Sequence, residues 1–221
     1  MQNNNRYCQK TFENIPADKQ KKVIDTAKNH FARYGFDGTN TNKVAQDAGI
    51  SVGSLYKYFA TKEDLFLRVV HEGSLLLEQA LSKIGEPGDI LEFFEGVLRA
   101  ARDFALEYPE YNRIYLDLTT RSQTHMSEKV CNKIEDITAK KYKELMERSK
   151  ERGVIRQDVS VNEAAFCLDN LVIMLQFSFA SPYYKERMRT FLGQDEDLRG
   201  DRVIKRLVDF AGKGLRAEEK R

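Results

Sequence analysis

The residues best suited to chemistry lie together between Thr39 and Phe59, in TNTNKVAQDAGISVGSLYKYF. This stretch is rich in hydroxyls, amides, lysines and phenols. Such groups suit hydrogen bonding to phosphate oxygens and base edges. The chain supplies no catalytic constellation. It has no nucleophile elbow, no Gly-rich phosphate loop, no HExxH and no clustered carboxylates. Its three cysteines, Cys8, Cys131 and Cys167, are widely spaced and lack the CxxC or Cys/His grouping of a zinc site. His30, His71 and His125 are too far apart in sequence to suggest a metal centre. No cofactor is expected.

Two short helices must position the stretch. Val44, Ala45 and Ala48 mark the inner face of a helix near Thr41 to Ala48. Ala48-Gly49-Ile50-Ser51 is the small turn of a helix-turn-helix. Gly49 takes the positive φ, Ile50 plugs the space between the helices, and Ser51 caps a helix running to about Phe59. That helix directs Val52, Gly53 and Ser54 outward and packs Leu55 and Phe59 inward. Tyr56, Lys57 and Tyr58 are left as candidate contacts to phosphate or base. Tyr58 and Phe59 also fit a plain core role.

The flanking sequence reads as helix throughout. Only 4 prolines and 13 glycines punctuate the chain, and they fall between segments of helical periodicity, which predicts an all-α protein. A helix over about Asp18–Tyr34 carries Val23, Ile24, Ala27 and Phe31 on one face and stops at Gly35. Thr61 and Asp64 form a capping box for a long helix reaching toward Ile84. Gly85–Gly88 breaks the chain, and Asp89 caps a helix that ends at Pro109. Further helices are expected around Tyr111–Leu118, Ser127–Glu151, Ser160–Ala180 (with a Ser160/Glu163 capping box) and Leu198–Gly212. Residues 1–15 are Asn-rich and weakly patterned, so a flexible arm is expected there.

Composition sets limits. With 221 residues and 41% hydrophobic content, the chain can bury a sizeable core. The net charge is only +2, so a general basic excess gives no argument for nucleic acid. The N-terminal 72 residues are slightly basic, 11 Lys/Arg against 8 Asp/Glu, which points weakly the same way as the motif. The polar start MQNNNRYCQKTF has no apolar signal core, and the richest apolar window, Ala164–Ala180, is interrupted by Asp169, Asn170 and Gln176. A soluble intracellular protein with free thiols is expected.

The run FARYGFDGTNTNKVAQDAGISVGSLYKYFATKEDLF resembles the N-terminal signature of the TetR family of bacterial transcription regulators, over residues 18–72. The resemblance rests on the aromatic and Gly ending the first helix, the Thr before the second, and the A-x-x-A-G-I-S turn. It extends through the G-S-L-Y-x-Y-F helix and the K-E-D-L that follows. It implies an N-terminal DNA-binding domain over 16–72 and a larger helical domain over 73–221 that binds an effector and dimerises. Carried over residue by residue, Thr39 or Asn40 caps the second helix, while Thr41 and Asn42 approach the DNA backbone. Lys43 reaches phosphate or base. Val52, Ser54 and Lys57 read bases beside Ser51 and Gly53, and Tyr56, Tyr58 and Lys62 hold phosphates. Val52 departs from the family pattern, where Lys or Arg is common, and offers only apolar contact.

The resemblance further implies a cytoplasmic repressor, nucleoid-associated when DNA-bound, that holds a palindromic double-stranded operator as a homodimer and is released by a small molecule. The helix over Ala164–Ala180 supports the dimer independently, because it is apolar nearly all round and must be covered on more than one side. Burial of that helix within one subunit is the simpler alternative. Phe94, Phe104, Tyr115, Met146, Asp169 and Phe177 are candidates for the effector pocket, each of which also fits an ordinary core or edge role. A DNA-bound scaffold that recruits a protein, without a small effector, is the second functional reading.

Overall fold

The computed structural model describes residues 7–120, 124–193 and 200–217, with side chains described except at 120 and 124–137. Among these residues the chain is all helix apart from one isolated bridge between Ile155 and Arg216. Eleven helices are described: α1 Lys10–Glu13, α2 Ala17–Gly38, α3 Thr41–Ala48, α4 Val52–Tyr58, α5 Lys62–Ser82, α6 Ile90–Glu107, α7 Pro109–Thr120, α8 Thr124–Glu151, α9 Val161–Ala180, α10 Pro182–Leu192 and α11 Asp201–Leu215. They form two compact units, Met1–Leu76 with Arg113–Val130, and Leu77–Asn112 with Cys131–Arg221.

In the first unit, α2 buries Val23, Ile24, Ala27 and Phe31, the face read from its periodicity. The helix breaks at Gly35, whose φ of 68° no bulky residue would hold cheaply, and one more turn follows to Gly38. Phe31 and Phe36 both meet the ring of Phe66 edge-on, at 4.9 and 5.2 Å, and so fix α2 on α5. The capping box at the start of α5 is formed: Asp64 N–H donates to Thr61 Oγ1 at 3.0 Å, and Thr61 N–H donates to Asp64 Oδ2 at 3.0 Å.

The expected flexible arm over 1–15 does not hold where the chain is described. Residues 10–13 form α1, and Phe12 is buried between the rings of Tyr58 and Phe59. An aromatic side chain that finds a covered apolar site orders the weakly patterned backbone around it.

The second unit is built on α6, whose Ile90, Phe94, Val97, Leu98 and Ala101 are all buried. Asp89 caps it, its Oδ1 accepting from the N–H groups of Leu91 and Glu92 at 2.8 and 3.0 Å. Tyr142, Leu145 and Met146 of α8, Leu168, Val172 and Leu175 of α9, and Val203 and Ile204 of α11 complete the core. By length and composition α9 is apolar enough to cross a membrane despite the interruptions at Asp169, Asn170 and Gln176. In this fold Leu168, Val172 and Leu175 serve a protein core while Phe166 and Met174 are exposed.

Three local expectations need correction. Ser160 begins α9 without a side-chain cap, so the Ser160/Glu163 box is not formed. Pro182 does end α9, but it also starts α10, which was not foreseen; Pro is well suited to a first helical position, where its N–H is not needed. The last helix begins at Asp201, with the expected start at Leu198 outside the described residues. Asp201 receives Arg99 and Arg102 at 2.7 and 2.6 Å, and this pins the start of α11 to α6.

A buried amide pair joins α7 to α9. Gln176 Nε2 donates to Asn112 Oδ1 at 2.8 Å, and Asn112 Nδ2 donates to the Gln176 carbonyl at 3.1 Å. Both residues are buried, so each amide depends on the other. Asn112→Leu is expected to destabilise the protein by about 1–3 kcal/mol in urea unfolding, because it strands the Gln176 amide. The Asn112→Leu/Gln176→Leu double variant should recover most of that loss. Equal losses in the single and double variants would show that the pair is not coupled.

Candidate nucleic-acid interface

Local sequence closes the helix-turn-helix step by step. Asn40 caps α3, its Oδ1 accepting from Asn42 N–H at 2.9 Å and from Lys43 N–H at 3.4 Å. Gly49 ends α3 in the left-handed region, φ 73° and ψ 32°, and the Ile50 N–H returns to the Ala45 carbonyl at 3.0 Å. Ser51 Oγ accepts the Ser54 N–H at 3.0 Å and so caps α4. Leu55 and Phe59 are buried, as expected of the inner face. The His30 ring meets Asp47 Oδ2 at 2.8 Å and holds α3 against α2.

The outward face gathers most of the expected contacts. Asn42, Lys43, Ser51, Val52, Gly53, Tyr56 and Lys57 are exposed, and Thr41 and Ser54 are half-buried. The Thr41 and Tyr56 hydroxyls lie 3.0 Å apart, which joins the first turn of α3 to the middle of α4 in one polar surface. Two further exposed groups, Asn40 and Gln46, belong to it. Gln46 was not singled out from sequence; its Oε1 accepts from Lys43 Nζ at 3.2 Å and steers that lysine along α3. Gly53 has ordinary helical φ, and an added Cβ would meet nothing closer than Ser51 Oγ at 3.9 Å. The fold does not require glycine there, and its effect is to leave the start of α4 flat.

Four expected contacts look different. Thr39 is buried and donates its hydroxyl to the Gly35 carbonyl at 2.7 Å, closing the end of α2 rather than capping α3. Tyr58 is nine-tenths buried beside Phe12, because its position on a seven-residue helix falls on the inner side with Leu55. The Ser54 hydroxyl lies 2.8 Å from Ser51 Oγ and is engaged in the cap. The Lys62 ammonium donates to the Asp37 carbonyl at 3.1 Å and sits 4.8 Å from the centre of the Phe36 ring, which ties α5 to the end of α2.

The six pocket candidates have different local settings. Phe94 and Met146 are fully buried in the core of the second unit, and Phe104 and Phe177 pack on Tyr108 and Tyr184. Asp169 is half-buried, and Tyr115 belongs to the other unit. Tyr142 of α8 was missed. It is fully buried, its ring meets Phe93 edge-on at 5.1 Å, and its hydroxyl finds no hydrogen-bond partner among the described residues. Burial, helped by the negative charge of Asp169, pushes its phenol far above the ordinary range and keeps it neutral. In the sequence it lies within the polar run KKYKEL, where only its i+3 and i+4 spacing to Leu145 and Met146 signals an inward direction. No group of three or more metal-ligating residues occurs among the described residues.

Comparison with known proteins agrees with this geometry. The pattern of "Bacterial regulatory proteins, tetR family" matches residues 23–69, which span α3, α4 and parts of α2 and α5. The HTH-type transcriptional regulator YfiR of Bacillus subtilis is 23% identical over 142 residues, covering 61% of this chain and 67% of YfiR. RutR of Escherichia coli K12, also an HTH-type transcriptional regulator, is 27% identical over 97 residues, covering 44% of this chain and 46% of RutR. The chain thus spans about half the length of that relative. The crystal structure of a TetR family transcriptional regulator from Chloroflexus aurantiacus superposes with a TM-score of 0.73 at 23% identity, over 96% of this chain and 99% of that one. The helix-turn-helix built on Gly49 thus lies within the segment that carries the tetR-family pattern, and the chain shares the all-helical fold of that TetR family regulator.

Proposed function

We propose that this protein is a cytoplasmic repressor that binds a palindromic DNA operator as a homodimer and releases it when a small molecule enters the second unit. The observation that carries the DNA reading is the single polar surface of α3 and α4, centred on the Thr41–Tyr56 contact. Lys43, Tyr56 and Lys57 supply donors for phosphate oxygens. Val52 and the flat start of α4 at Gly53 are suited to close approach in the major groove, with Val52 offering apolar contact to a thymine methyl. Thr39 and Tyr58 act from behind, in the packing.

Dimerisation is supported by apolar side chains left on the outside of α9 and α11. Phe166 and Met174 on α9 and Phe210 on α11 are exposed, Phe166 and Phe210 by 71% and 70%. Covering a phenylalanine ring gains about 1.5–3 kcal/mol, and a two-fold axis would cover each twice. Two recognition helices held about one DNA turn, ~34–36 Å, apart would then read a palindrome. An effector reading is supported by Tyr142: a neutral, enclosed donor in an apolar core suits a ligand with an apolar body and one hydrogen-bond acceptor.

Selection from a randomised duplex pool by the full-length protein is expected to enrich a palindrome; a pool without enrichment would remove the DNA reading. Gly53→Ala should leave stability unchanged or raise it by up to ~1 kcal/mol, since alanine favours helix. Its affinity for the enriched duplex should nonetheless fall at least tenfold (roughly 1.4 kcal/mol) as the methyl meets the groove. Undiminished affinity would show that α4 does not approach DNA at its start. Phe166→Glu/Phe210→Glu should sediment as a monomer, and a dimer that survives both changes would place the interface elsewhere.

A further inference from the structure

The family pattern begins at residue 23, yet the structure puts an earlier segment in direct contact with the recognition helix. Helix α4 has only seven residues, and a helix that short is not stable alone. Its start is fixed by Ser51 and the Gly49 turn. Its end has carbonyls that no residue of α4 can satisfy. Two of them are taken by the N-terminal segment: Thr11 Oγ1 donates to the Lys57 carbonyl at 2.6 Å, and the Gln9 N–H donates to the Tyr58 carbonyl at 2.9 Å. Between these bonds Phe12, 1% exposed, packs on Phe59 and Tyr58 with ring centres 4.7 and 5.5 Å away.

The segment is anchored on its other side as well. Gln20 of α2 donates its Nε2 to the Ile15 carbonyl at 2.9 Å and to the Glu13 carbonyl at 3.2 Å. Helix α1 is therefore a brace from α2 to the far end of α4. It grips the backbone of Lys57, whose side chain points to solvent on the proposed DNA face.

We propose that Gln9, Thr11 and Phe12 are positioning residues for DNA recognition, fixing the end of α4 and with it the aim of Tyr56 and Lys57. The proposal rests on the reading of α4 as the recognition helix. Specific binding needs α4 in one orientation, whereas non-specific phosphate contact does not. Loss of the brace should therefore lower discrimination between sequences more than it lowers general DNA affinity.

The test uses the full-length protein with two duplexes: the one enriched from a random pool by the wild type, and a shuffled duplex of the same composition. Gln9→Pro/Thr11→Val removes both hydrogen bonds and leaves Phe12 in place; the Gln9 φ of −79° already suits proline. The expected result is amide exchange in α4 about 5- to 30-fold faster, a preference for the enriched duplex about 5- to 30-fold weaker, and a small fall in the urea midpoint that leaves the protein folded under the binding conditions. Thr11→Ser alone keeps the hydroxyl and should match the wild type. Phe12→Ala should lose more preference; if it does not fold, the double variant decides. An unchanged preference in the folded double variant overturns the proposal. So does an equal loss on both duplexes that tracks a lowered midpoint, since that marks a purely structural segment. If the wild type enriches no duplex, the DNA reading falls and recognition positioning falls with it, and α4 exchange still reports whether α1 holds the helix.

Discussion

Everything on the candidate DNA face depends on holding a seven-residue helix that cannot hold itself. Forming a helical turn fixes many dihedral angles for few hydrogen bonds, so α4 must borrow its order from neighbours. It does so at both ends. The Gly49 turn and the Ser51 cap set where it starts, and α1 receives where it stops. Leu55 and Phe59 supply the burial between. The side chains facing solvent are then free to be polar, because none of them is needed for packing.

The same division of labour gives several of the expected contact residues a part in assembly. Thr39, Tyr58 and Lys62 all have functional groups that suit phosphate, yet each is engaged in joining elements: Thr39 to the Gly35 carbonyl, Tyr58 to Phe12 and Lys62 to Asp37 and Phe36. A small domain with short helices has few residues to spare for its own assembly. Polar side chains at helix ends serve that assembly because broken helical ladders leave carbonyls needing donors there.

The second unit solves a different problem. Helix α9 is apolar enough to need cover nearly all round, and α6 covers only one side of it. The buried Asn112–Gln176 pair gives its contact with α7 a defined register, since a shifted helix would leave both amides unpaired. Among the described residues the buried Tyr142 hydroxyl, like Glu78 Oε1, has no hydrogen-bond partner.

The sequence by itself determined what is local. The ends of α3 and the start of α4, the Thr61/Asp64 box and the Asp89 cap lie within four residues of the groups they satisfy, so side-chain type and spacing suffice to read them. The buried faces of α2 and α6 follow from periodicity for the same reason. The spacing of Tyr58 to Leu55 turns it inward on α4 while Tyr56 stays exposed, but only the tertiary structure supplied the Phe12 ring that covers Tyr58. It alone ordered α1, because Phe12 is 46 and 47 positions from the rings that bury it. It likewise paired Asn112 with Gln176 across 64 positions. Long-range contacts depend on the packing of whole helices, and no window of sequence contains that information.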